Sequence, residues 1–165
     1  MKKQYTATVY ILQDDKVLLI FHKKFQKWLP PGGHLEPGEL PSEGAIREAK
    51  EETGLEIEII PQENIWIEKR WNGGSFERPY LCLIENIPAR PGEEAHQHVD
   101  FIYIGKPVGG LENLNEEETS GLRWFTKEDL LSLLPGCDSF QEVIEICNQV
   151  IDNKELPYHP ASCVR

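Results

Sequence analysis

Three carboxylates on one side of a short segment are the residues of this chain best placed to do chemistry. Between Pro41 and Gly54 the sequence reads PSEGAIREAKEETG, which spaces Glu48, Glu51 and Glu52 at i, i+3 and i+4. On a helix those positions share one arc. The last turns of a helix carry partial negative charge and favour Lys or Arg over three carboxylates. Like charges four residues apart add about 0.2–0.5 kcal/mol of repulsion per pair. One reading is a solvated charged face with Arg47 and Lys50 as partners. The other is a bound cation, which removes both penalties; ligation by oxygen alone suits Mg²⁺ or Mn²⁺ better than zinc.

The elements that must position these acids are legible around them. Gly32-Gly33 and Pro37-Gly38 punctuate a loop. Pro41 suits the first helical turn, where its missing N–H costs nothing. Gly54 suits the left-handed residue that ends a helix, so the helix is predicted from Pro41 to Thr53. Ala45, Ile46, Ala49 and Thr53 form the apolar arc expected to pack, roughly a third of a turn from the acids.

The stretch Gly33 to Leu55 fills every fixed position of G-x5-E-x7-R-E-U-x-E-E-x-G-U, where U is bulky and apolar; only Ala49 is small for its U position. In this it resembles the signature of the Nudix hydrolase family, MutT-type. The resemblance extends to Trp28-Leu29-Pro30-Pro31-Gly32-Gly33 before the stretch and Arg123-Trp124-Phe125 after it. It implies an α/β fold, an α/β/α sandwich with a mixed β-sheet, as one domain over residues 1–165. It also implies Mg²⁺- or Mn²⁺-dependent hydrolysis of a nucleoside diphosphate linked to another moiety X. By resemblance, Glu48 and Glu52 are direct metal ligands, Glu51 a direct or water-mediated one, and the Gly32 carbonyl a further oxygen. Arg47 fixes a glutamate and Glu39 supports the site. Glu118, or one of the helix glutamates, takes the proton from the attacking water and can also reach the metal; Glu117 is its nearest rival.

What X is does not follow from the signature. A nucleoside triphosphate, oxidised or not, is the first expectation, and a nucleotide sugar or dinucleotide the alternative. A non-catalytic nucleotide sensor of the same family is a reading of another class, disfavoured because all the glutamates are kept. Isopentenyl diphosphate isomerase shares the fold, but no Cys-bearing active-site segment of its kind is found.

Composition sets the outer bounds. A length of 165 residues allows one domain with a real core. A net charge of −11 and a pI near 4.9 argue against a nucleic-acid surface, and an anionic substrate would need cations in order to approach. Cys82, Cys137, Cys147 and Cys163 show no C-x-x-C spacing, as expected of reduced thiols, with Cys82 in the core. No apolar run suggests a signal peptide or a membrane span, so a cytoplasmic protein, monomer or homodimer, acting on a small nucleotide is expected.

Elsewhere, Tyr5–Leu12 and Val17–Phe21 read as a hairpin turned at Gln13-Asp14-Asp15-Lys16. His22, Lys23, Lys24 and Lys27 cluster before the glycine loop; they are solvated charges, or Lys23 and Lys27 contact substrate phosphates. Strands are predicted over 55–60, 65–71 and 76–85, with a turn at Asn72-Gly73-Gly74-Ser75 and a loop at 88–94. In the alternating run 96–104, His96, His98 and Asp100 share a face. That face is either exposed or lines the substrate cleft, with His98 or Asp100 near the metals. A zinc site on His96-x-His98 lacks an evident third ligand. Residues 105–121 read as a long functional loop. Thr126 and Ser139 cap helices through about Leu134 and Ile151, and residues 153–165 form a loosely ordered tail. Trp66, Trp71, Phe76 and Tyr80 either pack or stack a base.

Overall fold

The computed structural model describes residues 1–70 and 72–152. The expectations for Trp71 and for the 153–165 tail lie outside these residues. Strands β1 (Lys2–Gln13) and β2 (Lys16–His22) form the expected hairpin, longer at both ends than its apolar runs, with Asp14 at φ 54 in the turn. Then follow β3 (Lys27–Leu29), β4 (Gly32–His34), α1 (Pro41–Thr53), β5 (Leu55–Ile59), β6 (Leu81–Ile87), β7 (His96–Gly110), β8 (Thr119–Phe125), α2 (Lys127–Leu131) and α3 (Gln141–Asp152).

The sheet is mixed. Its path runs β3-β2-β1-β7-β5, with β4 on β1, β6 on β7 and β8 on β2. Among the strands of the described residues only β1 and β7 pair in parallel, over ten residues from Lys2↔His96 to Ile11↔Gly105. Alternation along β1 divides the core between two layers. Ala7, Val9 and Ile11 face Ala45 and Ala49 of α1, whose small side chains let the helix lie close to the sheet. Tyr10 and Leu12 face the other way, toward Val143, Ile146, Cys147 and Val150 of α3. This is the expected α/β/α layering.

Helix α1 has the predicted bounds, and Gly54 ends it at φ 75 with its N–H on the Lys50 carbonyl. The arc that packs differs by one step from the prediction: Ile46 is 39% exposed, whereas Glu52 is only 3% exposed. The helix is rolled so that one of its acids lies on the buried side.

Several other expectations are corrected. Residues 65–70 form no strand; Ser75 Oγ donates to the Ile65 carbonyl and accepts the Ile67 N–H, both at 2.8 Å, and Arg70 bridges to Gly73 around the predicted turn. Strand β6 starts at Leu81 rather than Phe76, where it comes into register with Ile102 of β7. Residues 105–110 belong to β7, which leaves β1 and pairs with β5, so the loop shrinks to 111–118. Helix α2 stops at Leu131. Ser139 does not cap α3, because the helix begins at Gln141 and leaves Ser139 one residue too early; its hydroxyl donates instead to the Trp28 carbonyl at 2.7 Å. Cys82 is exposed on β6, and among the described residues Cys147 is the buried thiol. Among the described residues no helix is long and apolar enough to cross a membrane.

Candidate active site

Pairing of β4 with β1 sets Gly32 against Thr8 and Gly33 against Ala7, alongside α1. Close backbone approach requires glycine at position 32, and at position 33 glycine leaves room for the Glu48 side chain. A Cβ on Gly33 would collide with the Glu48 carboxylate, and one on Gly32 with the Ala7 carbonyl and Thr8. Bare backbone therefore faces the acids, and the Gly32 N–H donates to Glu52 Oε2 at 2.9 Å.

Burial raises the Glu52 pKa to about 8; the Gly32 N–H opposes the shift, and the charges of Glu48, Glu118 and Glu51 add to it. Burial also pushes Glu48 up, against the pull of Arg47. Arg47 organises the opposite side of the group. Its Nε and a terminal nitrogen grip the two oxygens of Glu39 at 2.8 and 3.0 Å. Its other terminal nitrogen donates to Glu48 Oε1 at 2.7 Å and Glu51 Oε2 at 3.2 Å, and a further bond of 3.0 Å reaches the His34 carbonyl. This planar fork suits a pair of carboxylates. It holds Glu39 below its usual range, and Glu39 in turn accepts the Glu36 N–H at 2.9 Å, which braces the loop before α1.

Gly32, Gly33, Arg47, Glu48, Glu51 and Glu52 line a cavity of about 340 Å³, with Glu118 closing it from the loop before β8. Residues scattered through the sequence thus share one concave acidic site. The Lys23 N–H donates to the Glu118 carbonyl at 2.9 Å, and its ammonium reaches the Glu116 carbonyl, so Lys23 holds the loop that carries Glu118. Lys27 is turned elsewhere, onto the Cys137 carbonyl at 2.9 Å. Asp100 is buried and accepts from Thr6 Oγ1 at 2.9 Å, and His98 is half-buried beside it on β7; neither lines the cavity. Neither do Glu117, Trp66, Phe76 or Tyr80.

The cavity also includes His34, Glu36 and Asn115, which sequence reasoning missed. His34 and Glu36 fall on variable positions of the signature, between its fixed residues. Asn115 does carry a local signal, an Asn before a run of acids. Its Oδ1 accepts the Glu117 N–H at 3.1 Å and its carbonyl the Thr119 N–H at 3.0 Å, which turns Glu118 inward.

The donor set fits a hard divalent cation. It is oxygen-only and anionic, and it keeps a buried carboxylate among like charges that a cation would relieve. As placed, no three such side chains among the described residues already enclose a metal ion.

Residues 2–145 match the NUDIX domain family. The chain is 49% identical over 134 residues to the uncharacterised Nudix hydrolase YvcI of Bacillus subtilis, across 79% of this chain and 72% of the relative. It is 26% identical over 123 residues to a putative 8-oxo-dGTP diphosphatase of the same organism, across 73% and 66%. It is 42% identical over 156 residues to a diphosphoinositol polyphosphate phosphohydrolase of Homo sapiens, across 90% and 73%. A NUDIX-family hydrolase from Clostridium perfringens has the same fold, with a TM-score of 0.74 at 29% identity over 94% of this chain and 100% of the other. With the family matched over most of its length and the signature residues Arg47, Glu48, Glu51 and Glu52 lining one cavity, the chain belongs to the Nudix family and is a Nudix pyrophosphohydrolase.

Proposed function

We propose that this enzyme hydrolyses a phosphoanhydride bond in a nucleoside diphosphate linked to another moiety, with a nucleoside triphosphate as the first candidate. The observation that carries this reading is the cavity in which buried Glu52 and half-buried Glu48 stand beside Glu51, across from Glu118, against glycine backbone. Glu48, Glu51, Glu52 and the Gly32 carbonyl would hold Mg²⁺ or Mn²⁺. Divalent ions there supply polarisation of the phosphorus and neutralisation of developing charge.

This chain's own residues supply the rest. Arg47 spends its donors on Glu39, Glu48 and Glu51, so it aligns the carboxylates instead of gripping phosphate. Glu118 stands on a separate loop that faces the helix acids, suited to accept the proton of the attacking water. Relatives carry names for chemically different substrates, an oxidised nucleotide and a diphosphoinositol polyphosphate among them, and a nucleotide sugar or dinucleotide is the alternative here.

The test is release of phosphate and pyrophosphate across nucleoside triphosphates, oxidised nucleotides, nucleotide sugars, dinucleoside polyphosphates and a diphosphoinositol polyphosphate. Each is run with Mg²⁺, with Mn²⁺ and with EDTA, beside Glu52→Gln. Metal-dependent turnover lost in the variant supports the proposal, and the preferred compound names the moiety. Silence across the panel, with one compound still raising the melting temperature, would instead point to a sensor.

A further inference from the structure

On the sheet face that carries α3, the first half of β7 presents His96 and His98 beside Glu93 of the preceding loop and Glu85 of β6. None of these four lines the hydrolytic cavity. His96 Nδ1 stands 2.8 Å from the Glu94 carbonyl oxygen. A carbonyl only accepts, so that nitrogen carries the proton and Nε2 presents its lone pair. His98 Nδ1 lies 3.7 Å from Glu85 Oε2, too far for a hydrogen bond, so the His98 ring can carry its proton on Nδ1 and leave its Nε2 lone pair to a ligand.

The two Nε2 atoms then face each other at 3.2 Å. Facing lone pairs repel unless a cation lies between them or one ring moves its proton to Nε2. A tetrahedral zinc ion with Zn–N bonds of about 2.0–2.1 Å places its nitrogens about 3.3–3.4 Å apart, close to the separation seen here. Glu93 Oε1 is 3.7 Å from His96 Nε2, on a side chain 37% exposed whose other oxygen lies 3.8 Å from Lys24 Nζ, a loose pair that it gives up on turning inward. That turn is needed, because no three such side chains among the described residues already enclose a metal ion. Hydrogen bonding of His96 Nδ1 to a backbone carbonyl is also the outer contact that orients metal-binding imidazoles.

We propose that His96, His98 and Glu93 form a second metal site, for a borderline cation such as Zn²⁺, which clips the β6–β7 loop to the sheet. Its nitrogen donors set it apart in selectivity from the oxygen-lined cavity. His34, edge-on to His98 with ring centroids 5.0 Å apart, connects the two sites.

The experiment is titration of the full-length protein with Zn²⁺, and with Co²⁺ read by its visible absorption, in excess Mg²⁺ so that the carboxylate cavity is occupied. One ion per chain is expected, retained in Glu52→Gln, lost in His98→Gln and weakened about tenfold or more in Glu93→Gln. No binding under excess Mg²⁺, or binding that survives His98→Gln, overturns the proposal. Should His98→Gln not fold, nitrogen-15 spectra of the wild-type histidines decide. Zn²⁺ should shift the Nε2 resonances of both His96 and His98, and an Nε2–H persisting at saturation would mean that the pair is a plain imidazole–imidazole hydrogen bond.

Discussion

Glu52→Gln should stabilise the metal-free protein, and the gain should grow with pH. Glu52 is 3% exposed, and its pKa is raised from 4.5 to about 8, chiefly by burial. A raised folded-state pKa means that the protonated form stabilises the fold. That contribution is fully present below about pH 4.5 and is lost as pH rises to about 8. A tenfold change in proton affinity corresponds to about 1.36 kcal/mol, so near pH 7, where the unfolded chain ionises Glu52 and the fold keeps it mostly protonated, the group costs as much as about 3 kcal/mol. Glutamine keeps an oxygen for the Gly32 N–H and cannot ionise. For a chain of this size, about 2–4 °C per kcal/mol gives a rise of up to about 6–12 °C in melting temperature. The assay is thermal and urea unfolding of both proteins in EDTA between about pH 5 and 8. A difference independent of pH, or a variant less stable than wild type at about pH 8, would refute the argument. With Mg²⁺ the order should reverse, because binding to the folded state stabilises only the protein that keeps the ligand.

Turnover of Glu52→Gln should fall by several orders of magnitude even as its apo stability rises, measured by the release assay on whichever substrate proves active. Glu118→Gln should lower kcat with little change in Mg²⁺ affinity by calorimetry; an unchanged kcat would remove Glu118 as base. Arg47→Lys keeps the charge but not the fork that holds Glu39 while reaching Glu48 and Glu51, so activity should drop tenfold or more, on the order seen when residues that orient ligands are lost. Gly33→Ala drives a methyl group into the Glu48 carboxylate, so Mg²⁺ affinity should fall while the far-ultraviolet spectrum stays native.

Much of the hydrolytic site was readable because its signals are local. Pro41 and Gly54 bound α1 through backbone preferences that need no partner, and the i, i+3, i+4 spacing set Glu48, Glu51 and Glu52 together. Arg47 and Glu39 came with the signature, and the structure adds the two-point grip between them. His34 and Glu36 were not readable, since they fall on variable positions of the signature, and the local turn signal of Asn115 does not say which cavity it will face.

The same division explains the misplaced strands. Apolar residues over 65–71 and 76–80 read as strand by composition, yet a strand exists only where a neighbour offers free N–H and C=O groups. β7 offers them to β6 only from Leu81 onward. Conversely, Gly105–Gly110 reads as loop but is held as strand because β5 pairs with it. Lys27, close in sequence to the glycine loop, is carried by β3 toward the carbonyls of Gly136 and Cys137.

By itself the sequence determined the acidic helix, its ends and the β1–β2 hairpin, all consequences of dihedral preference and side-chain period, whereas Gly32-Gly33, read as loop, is strand β4 because β1 pairs with it. Only the tertiary structure decided the rest: that Glu52 and not Ile46 is buried, that Glu118 faces the helix acids, and that His96 and His98 meet nitrogen to nitrogen. Those outcomes depend on helix roll, strand register and the closing of a distant loop, which are set by how separate elements pack and are not encoded at any one position.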